Sequence, residues 1–261
     1  MLANYHTHTF RCNHASGEDR EYVENAIKSG FSVLGFSDHC PWDFNNSYHS
    51  SIRMTPEQID GYFSSLSDLK KEYADDITIY IGFEAEFIPE LISGQEQLLK
   101  DFPLDYMIMG QHFFEHEMFG RYTGVPTDDP DMLRSYVDSI ITGMKTGKYI
   151  YLAHPDLLSF TGDPLLYHSE FLRLCKAMKD NNIPLEINML GLNIGRHYPC
   201  DQFFSIASEV GNSVIIGCDA HSPDSLLDSD AMNKCRLFAE RHGLNIIDFI
   251  PGLGPAEPIK P

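Results

Sequence analysis

Seven short runs rich in β-forming residues alternate with seven longer segments of helical periodicity. This alternation constrains the fold more than any other feature of the chain. The runs are residues 3–9 (ANYHTHT), 32–39 (SVLGFSDH), 77–87 (ITIYIGFEAEF), 105–113 (DYMIMGQHF), 149–155 (YIYLAHP), 184–190 (PLEINML) and 213–221 (SVIIGCDAH). Helices are expected over 17–29, 56–74, 91–100, 130–146, 168–181, 200–210 and 223–242. Three of them have legible starts: Ser16 with Asp19 as a capping box, Thr55 before Pro56, and Ser222 before Pro223. Strands separated by helices pair in parallel through crossovers, and runs this continuously apolar suit strands covered on both faces. An open doubly wound sheet and a closed (β/α) barrel both satisfy the pattern. No GxGxxG follows the first run, which removes the usual dinucleotide-binding reading.

The 261 residues are 43% hydrophobic, enough for one large domain or two small ones. No apolar run approaches the roughly 18–20 residues of a membrane span. The first residues, MLANYHTHTF, lack the basic and apolar regions of a signal peptide, so a cytoplasmic protein is expected. The formal charge of −19 disfavours nucleic acid and anionic membranes as partners and suits bound cations. The six cysteines form no CxxC pair and read as free thiols. Cys12 and Cys40 flank histidines, but burial as small hydrophobes accounts for them.

Every run ends in a residue able to bind metal. His6 and His8 end the first, Asp38 and His39 the second, Glu84 and Glu86 the third. His112, His154, the pair Glu186 and Asn188, and the pair Asp219 and His221 follow in the remaining four. Strand side chains switch faces at each residue, so HTH, EAE and DAH each aim two donors into one space. In a (β/α) barrel the C-terminal strand ends gather at one face, where active sites lie. Imidazole with carboxylate is a donor set for Zn²⁺, Mn²⁺ or Fe²⁺. Taken singly, each motif has an ordinary alternative: SDH is also a turn, EAE a solvated strand edge, Asp219 a helix cap. The coincidence across the runs favours a metal site.

As a set, HTHT, SDH, GFEAEF, GQH, LAHPD and GCDAHS resemble the polymerase-and-histidinol-phosphatase (PHP) superfamily, from about residue 5 to residue 243. Length and spacing resemble its stand-alone histidinol-phosphate phosphatases. The resemblance implies a single domain over 1–261, folded as a distorted seven-stranded (β/α) TIM-like barrel, with two to three divalent ions (Zn, Mn or Fe). Matched motif by motif, it implies that His6, His8, Glu84 and Asp219 hold one ion. Glu84 would bridge to a second held by His112 and His154, and His14, His39 and His221 would hold a third.

The implied activity is hydrolysis of a small phosphate monoester by a hydroxide shared between metals, with L-histidinol phosphate the first substrate to test. A sugar phosphate or nucleotide is the alternative substrate. A non-catalytic metal-binding module is the alternative class, disfavoured because none of the nine ligand positions is missing. Asp156 and His197 are candidate acids for the leaving alkoxide, though Asp156 also suits a turn. Arg196 is the first candidate for the phosphate, ahead of Arg53 and Arg121, because it follows the sixth run. The chain departs from the family in having Asp156, Leu157 and Leu158 where an arginine is usual after the fifth-run histidine. It also has Asn193 before Arg196 after the sixth run.

Overall fold

The computed structural model describes residues 1–44, 46–115 and 117–256. Its strands are β1 (Ala3–Asn4), β2 (Val33–His39), β3 (Thr78–Ala85), β4 (Tyr106–Met109), β5 (Leu185–Asn188), β6 (Ser213–Gly217) and β7 (Asn245–Ile246). They lie in two parallel sheets, β1-β2-β3-β4 and β5-β6-β7. The helices are α1 (Asp19–Lys28), α2 (Ile59–Glu72), α3 (Pro89–Leu99), α4 (Pro130–Met144), α5 (Pro164–Asp180), α6 (Met189–Asn193), α7 (Asp201–Val210) and α8 (Ser229–Arg241). The fold is α/β with a curled parallel sheet. Single parallel bridges flank the sheets: Met109–Leu152 and Leu152–Leu185 on one side, Thr7–Ala220 on the other. At the latter, the His8 N–H donates to the Ala220 carbonyl at 2.9 Å.

Strand alternation sorts the side chains into two cores. Phe36, Phe83, Met109, Ile187 and Ile216 pack against the helices in the larger one. Residues of the opposite parity, among them Val33, Tyr106, Ile108 and Ile215, join Tyr5 and Tyr151 in a smaller core on the concave side. Tyr106 crosses this side closely: a Cβ on Gly35 or Gly82 would strike its ring or hydroxyl. Followed toward the C-terminal strand ends, the same inner parity reaches His39, Glu84, Glu186 and Asp219, all buried. An apolar floor therefore supports a polar rim on the same strands.

Five of the expected runs contain strands of three or more residues wholly or largely within the expected bounds; the first contributes only Ala3–Asn4. Residues 149–155 are not a strand. Only Leu152 forms bridges, although the Ile150 and Ala153 N–H groups also donate to the Met107 and Met109 carbonyls, and His154 at φ 28° ends the extended backbone. A strand not expected, β7, pairs with β6; two residues carry no readable alternation. Residues 189–190, expected to end a strand, instead open α6, capped by the Asn188 side chain on the Gly191 N–H. The first helix starts later than Ser16 allows because Gly17, at φ 85°, turns the chain; Glu18 and Glu21 form the capping box instead. Thr55 does form one, with Gln58, opening a 3₁₀ turn that leads into α2. The last expected helix divides: Pro223–Leu227 is a 3₁₀ turn, and α8 has its own cap, Asp228. All six cysteines are free. Among the described residues, no helix is long and apolar enough to cross a membrane.

Candidate metal centre

The nine candidate ligands meet in one place, with Glu84 at the centre. Its Oε1 lies 2.7 Å from His154 Nε2 and 3.4 Å from His112 Nε2. Its Oε2 lies 3.1 Å from His39 Nδ1, 3.5 Å from His6 Nε2 and 3.6 Å from His8 Nε2. Asp219 Oδ1 stands 3.1 Å from His8 Nε2, 3.5 Å from His6 Nε2 and 3.4 Å from His221 Nδ1. His221 Nε2 faces His14 Nε2 at 3.0 Å, and the His14 and His39 rings are 5.4 Å apart. Donor atoms fall within 4.8 Å of one another in the groups His6–His8–Asp219, His6–Glu84–His154 and His14–His39–His221.

Local structure explains the convergence. The β2–β3 register sets His39 directly beside Glu84. Gly110 makes room for Glu84, since a Cβ there would overlap the carboxylate. His154 and Asp219 reach the centre from left-handed backbone, at φ 28° and 49°. Such strain outside glycine persists where surrounding structure enforces it, commonly at functional sites.

The electrostatics are those of a cation site. Burial opposes the charge on Glu84, but His112, His6 and His39 outweigh it and hold the carboxylate well below the usual range. Asp219 is likewise held well below its ordinary value, against burial, by His6, His8 and His221. Burial, with the His8 charge, pushes His39 down to about 3 and His221 down to about 4, so both stay neutral. His6, His8 and His112, by contrast, are held above the ordinary imidazole value by the same carboxylates, against burial, so a divalent ion would take the place of their protons beside the ionised Glu84 and Asp219. Glu84 Oε2, His6 Nε2, His8 Nε2 and His39 Nδ1 are buried and make no hydrogen bond. Buried polar atoms rarely go unsatisfied, so this donor set fits a metal.

The centre forms the floor of a cavity of about 490 Å³, whose walls include Ile52, Phe113, Tyr122, Leu190, Arg196 and Tyr198. The family model described as PHP domain matches residues 4–190. The chain belongs to the PHP domain family. Seven of the nine candidates lie within that match; Asp219 and His221 lie beyond it. A probable histidinol-phosphatase of Schizosaccharomyces pombe is 32% identical, covering 90% of this chain and 87% of its own. A probable histidinol-phosphatase of Deinococcus radiodurans is 27% identical, covering 85% and 87%. A crystal structure of histidinol phosphate phosphatase from Lactococcus lactis, complexed with Zn, L-histidinol and phosphate, superposes with a TM-score of 0.73. It covers 98% of this chain and 99% of that one at 19% identity.

Around the PHP centre stands a second ring of carboxylates whose roles the sequence did not reveal. Glu186 Oε1 is 2.8 Å from His6 Nδ1, while its Oε2 accepts from the His154 N–H at 3.0 Å and from Asn188 at 2.9 Å. Glu86 Oε1 is 3.1 Å from His112 Nδ1, and Asp38 Oδ1 is 3.5 Å from His8 Nδ1. Glu186 and Glu86 each fix one ring nitrogen by a hydrogen bond and so aim the other inward, while Asp38 faces His8 at a longer distance. Their sequence signal was a place among the metal-capable residues at the ends of the runs, with i, i+2 spacing only for Glu86 and Glu186. Glu186→Gln is expected to lower metal affinity about 10–100-fold. Competition with a chromophoric chelator checks this; unchanged affinity would show that Glu186 does not orient His6.

The other PHP candidates separate. Arg196 lines the cavity, with Nη1 2.6 Å from the Tyr198 hydroxyl. Asp156 and His197 are not brought to the cavity wall described above. Asp156 is buried, its carboxylate accepting from the Cys200 N–H at 2.6 Å, and burial raises its pKa to about 7. His197 Nε2 sits 2.7 Å from the Leu157 carbonyl. Arg53 is 1% exposed and bound to protein carboxylates, with Glu86 at 3.0 Å and Glu117 at 2.6 Å. Arg121 donates to the Pro126 carbonyl at 2.6 Å.

Proposed function

We propose that this chain is a metal-dependent phosphomonoesterase whose preferred substrate is L-histidinol phosphate. The observation that carries the reading is the gathering of nine imidazole and carboxylate side chains around Glu84 at the floor of a cavity walled by Arg196. The names of the two relatives, and the Zn, L-histidinol and phosphate in the Lactococcus lactis complex, support it. On this reading the domain spans 1–261, and the two sheets with the Leu152 bridges form one distorted seven-stranded barrel. His6, His8, Glu84 and Asp219 would hold one ion, Glu84, His112 and His154 a second, and His14, His39 and His221 a third, with Zn, Mn or Fe as the metal. The chemistry such ions supply when bound is charge neutralisation on the phosphate and a lower pKa for water.

The protein's own groups do the rest. Glu186 and Glu86 keep the His6 and His112 imidazoles aimed, so little reorganisation accompanies the reaction. Arg196 offers a planar fork of N–H donors to phosphate oxygens. Asp156 and His197 hold the loop that carries Arg196. Ile52, Phe113, Tyr122 and Leu190 give the alcohol portion an apolar, partly aromatic wall. That wall suits a flat heteroaromatic side chain better than a polyol.

A panel of esters on the metal-replete protein tests the proposal. L-Histidinol phosphate is expected to exceed glucose 6-phosphate and a mononucleotide in kcat/KM by at least about tenfold, a difference of about 1.4 kcal/mol. Preference for the sugar phosphate or nucleotide would transfer the assignment to that substrate. Absence of hydrolysis throughout the panel would overturn it.

A further inference from the structure

The loop after α6 reaches the cavity with Arg196 and Tyr198 and is pinned along its length. The Arg196 N–H donates to the Gly191 carbonyl at 2.9 Å. His197 is tied to the Leu157 carbonyl, and the Cys200 N–H to the Asp156 carboxylate. Gly191 lies under Tyr198 so closely that a Cβ would meet its carbonyl and ring. Tyr198 is 3% exposed, with its ring centroid 5.8 Å from that of His154. Arg196, by contrast, is exposed, and its side chain has many rotamers to lose. Its hydrogen bond to the buried Tyr198 hydroxyl, at 2.6 Å, limits that freedom. A guanidinium has five N–H donors, so one bond to Tyr198 leaves others for an oxyanion.

We infer that Tyr198 is a positioning residue: its buried phenol oxygen accepts from Arg196 and holds the guanidinium in the cavity, ready for the phosphate group of the ester. The inference rests on the phosphomonoesterase reading. Fixing a flexible donor before the ligand arrives removes an entropic cost from binding. Tyr198 therefore acts through Arg196, and its value depends on Arg196 being present.

The test is a double-mutant cycle of Tyr198→Phe and Arg196→Ala, read by calorimetric titration with inorganic phosphate on metal-replete proteins of verified metal content. Tyr198→Phe keeps the ring and is expected to weaken phosphate about tenfold. It should raise the KM for L-histidinol phosphate with kcat little changed. In the Arg196→Ala background the same change should add almost nothing. Arg196→Lys, which keeps the charge without the planar fork, should bind phosphate as weakly as the Tyr198→Phe protein or more so. Wild-type phosphate affinity in Tyr198→Phe or in Arg196→Lys, or an equal Tyr198→Phe effect in both backgrounds, overturns the inference. So does a wild-type protein that binds no phosphate. Coupled phosphate binding in a protein that hydrolyses no ester would leave the inference standing and sink only the hydrolase reading.

Discussion

Glu84→Gln is expected to reduce kcat/KM on the order of 10³-fold, the scale of losing a major electrostatic contributor at a reacting centre. The substitution preserves side-chain volume, so the cavity keeps its shape. What it removes is a negative charge within 3.6 Å of five imidazoles. The remaining amide has one acceptor oxygen where the carboxylate had two, and its NH₂ group would point at imidazole nitrogens that serve as donors to a cation. Metal content, measured by emission spectrometry, should fall together with activity, while circular dichroism stays unchanged. A folded Glu84→Gln protein within tenfold of wild-type activity would remove Glu84 from the centre of the proposal.

Stripping the metal by chelation and dialysis is expected to abolish hydrolysis and to lower thermal stability. A ligand present at a thousand times its Kd stabilises the folded state by about 4 kcal/mol, which for a chain of this size is a melting-temperature shift of roughly 10 °C. The donor atoms left bare include four that are buried and make no hydrogen bond, so the stripped state keeps the desolvation cost without its compensation. Zn²⁺ or Mn²⁺ should restore both properties. Full activity and an unshifted melting temperature after verified metal removal would refute the metal-dependent mechanism.

The parts of this molecule readable from its sequence share one property: they follow from local periodicity. The run around Glu84 alternates strictly, so Phe83 had to face helices and Glu84 the interior, and the structure places both so. Asp219 and His221 of DAH also meet the centre, but past the end of β6 and through left-handed backbone at Asp219, which the alternation did not foretell. Three kinds of feature were hidden. Residues 149–155 look like a strand, but the turn of the backbone at His154 leaves a single bridged residue. Glu186 serves His6 across 180 positions of chain, a separation no local pattern encodes. The fates of the arginines turned on burial: Arg53 has the composition of a surface residue and the environment of a core one.

Arg53 also bears on how wide the cavity is. Its neighbour Ile52 forms one wall and Phe113, four positions before Glu117, forms another, while Arg53 itself binds Glu117 and, through Glu86, backs His112. Pulling those two walls apart means separating opposite charges in a nearly dry setting, where removing one partner costs about 3–5 kcal/mol. An ion pair behind the apolar lining therefore ties these two walls together. On the proposed reading, a substitution at Glu86 that released Arg53 would at the same time remove the carboxylate that faces the His112 ring.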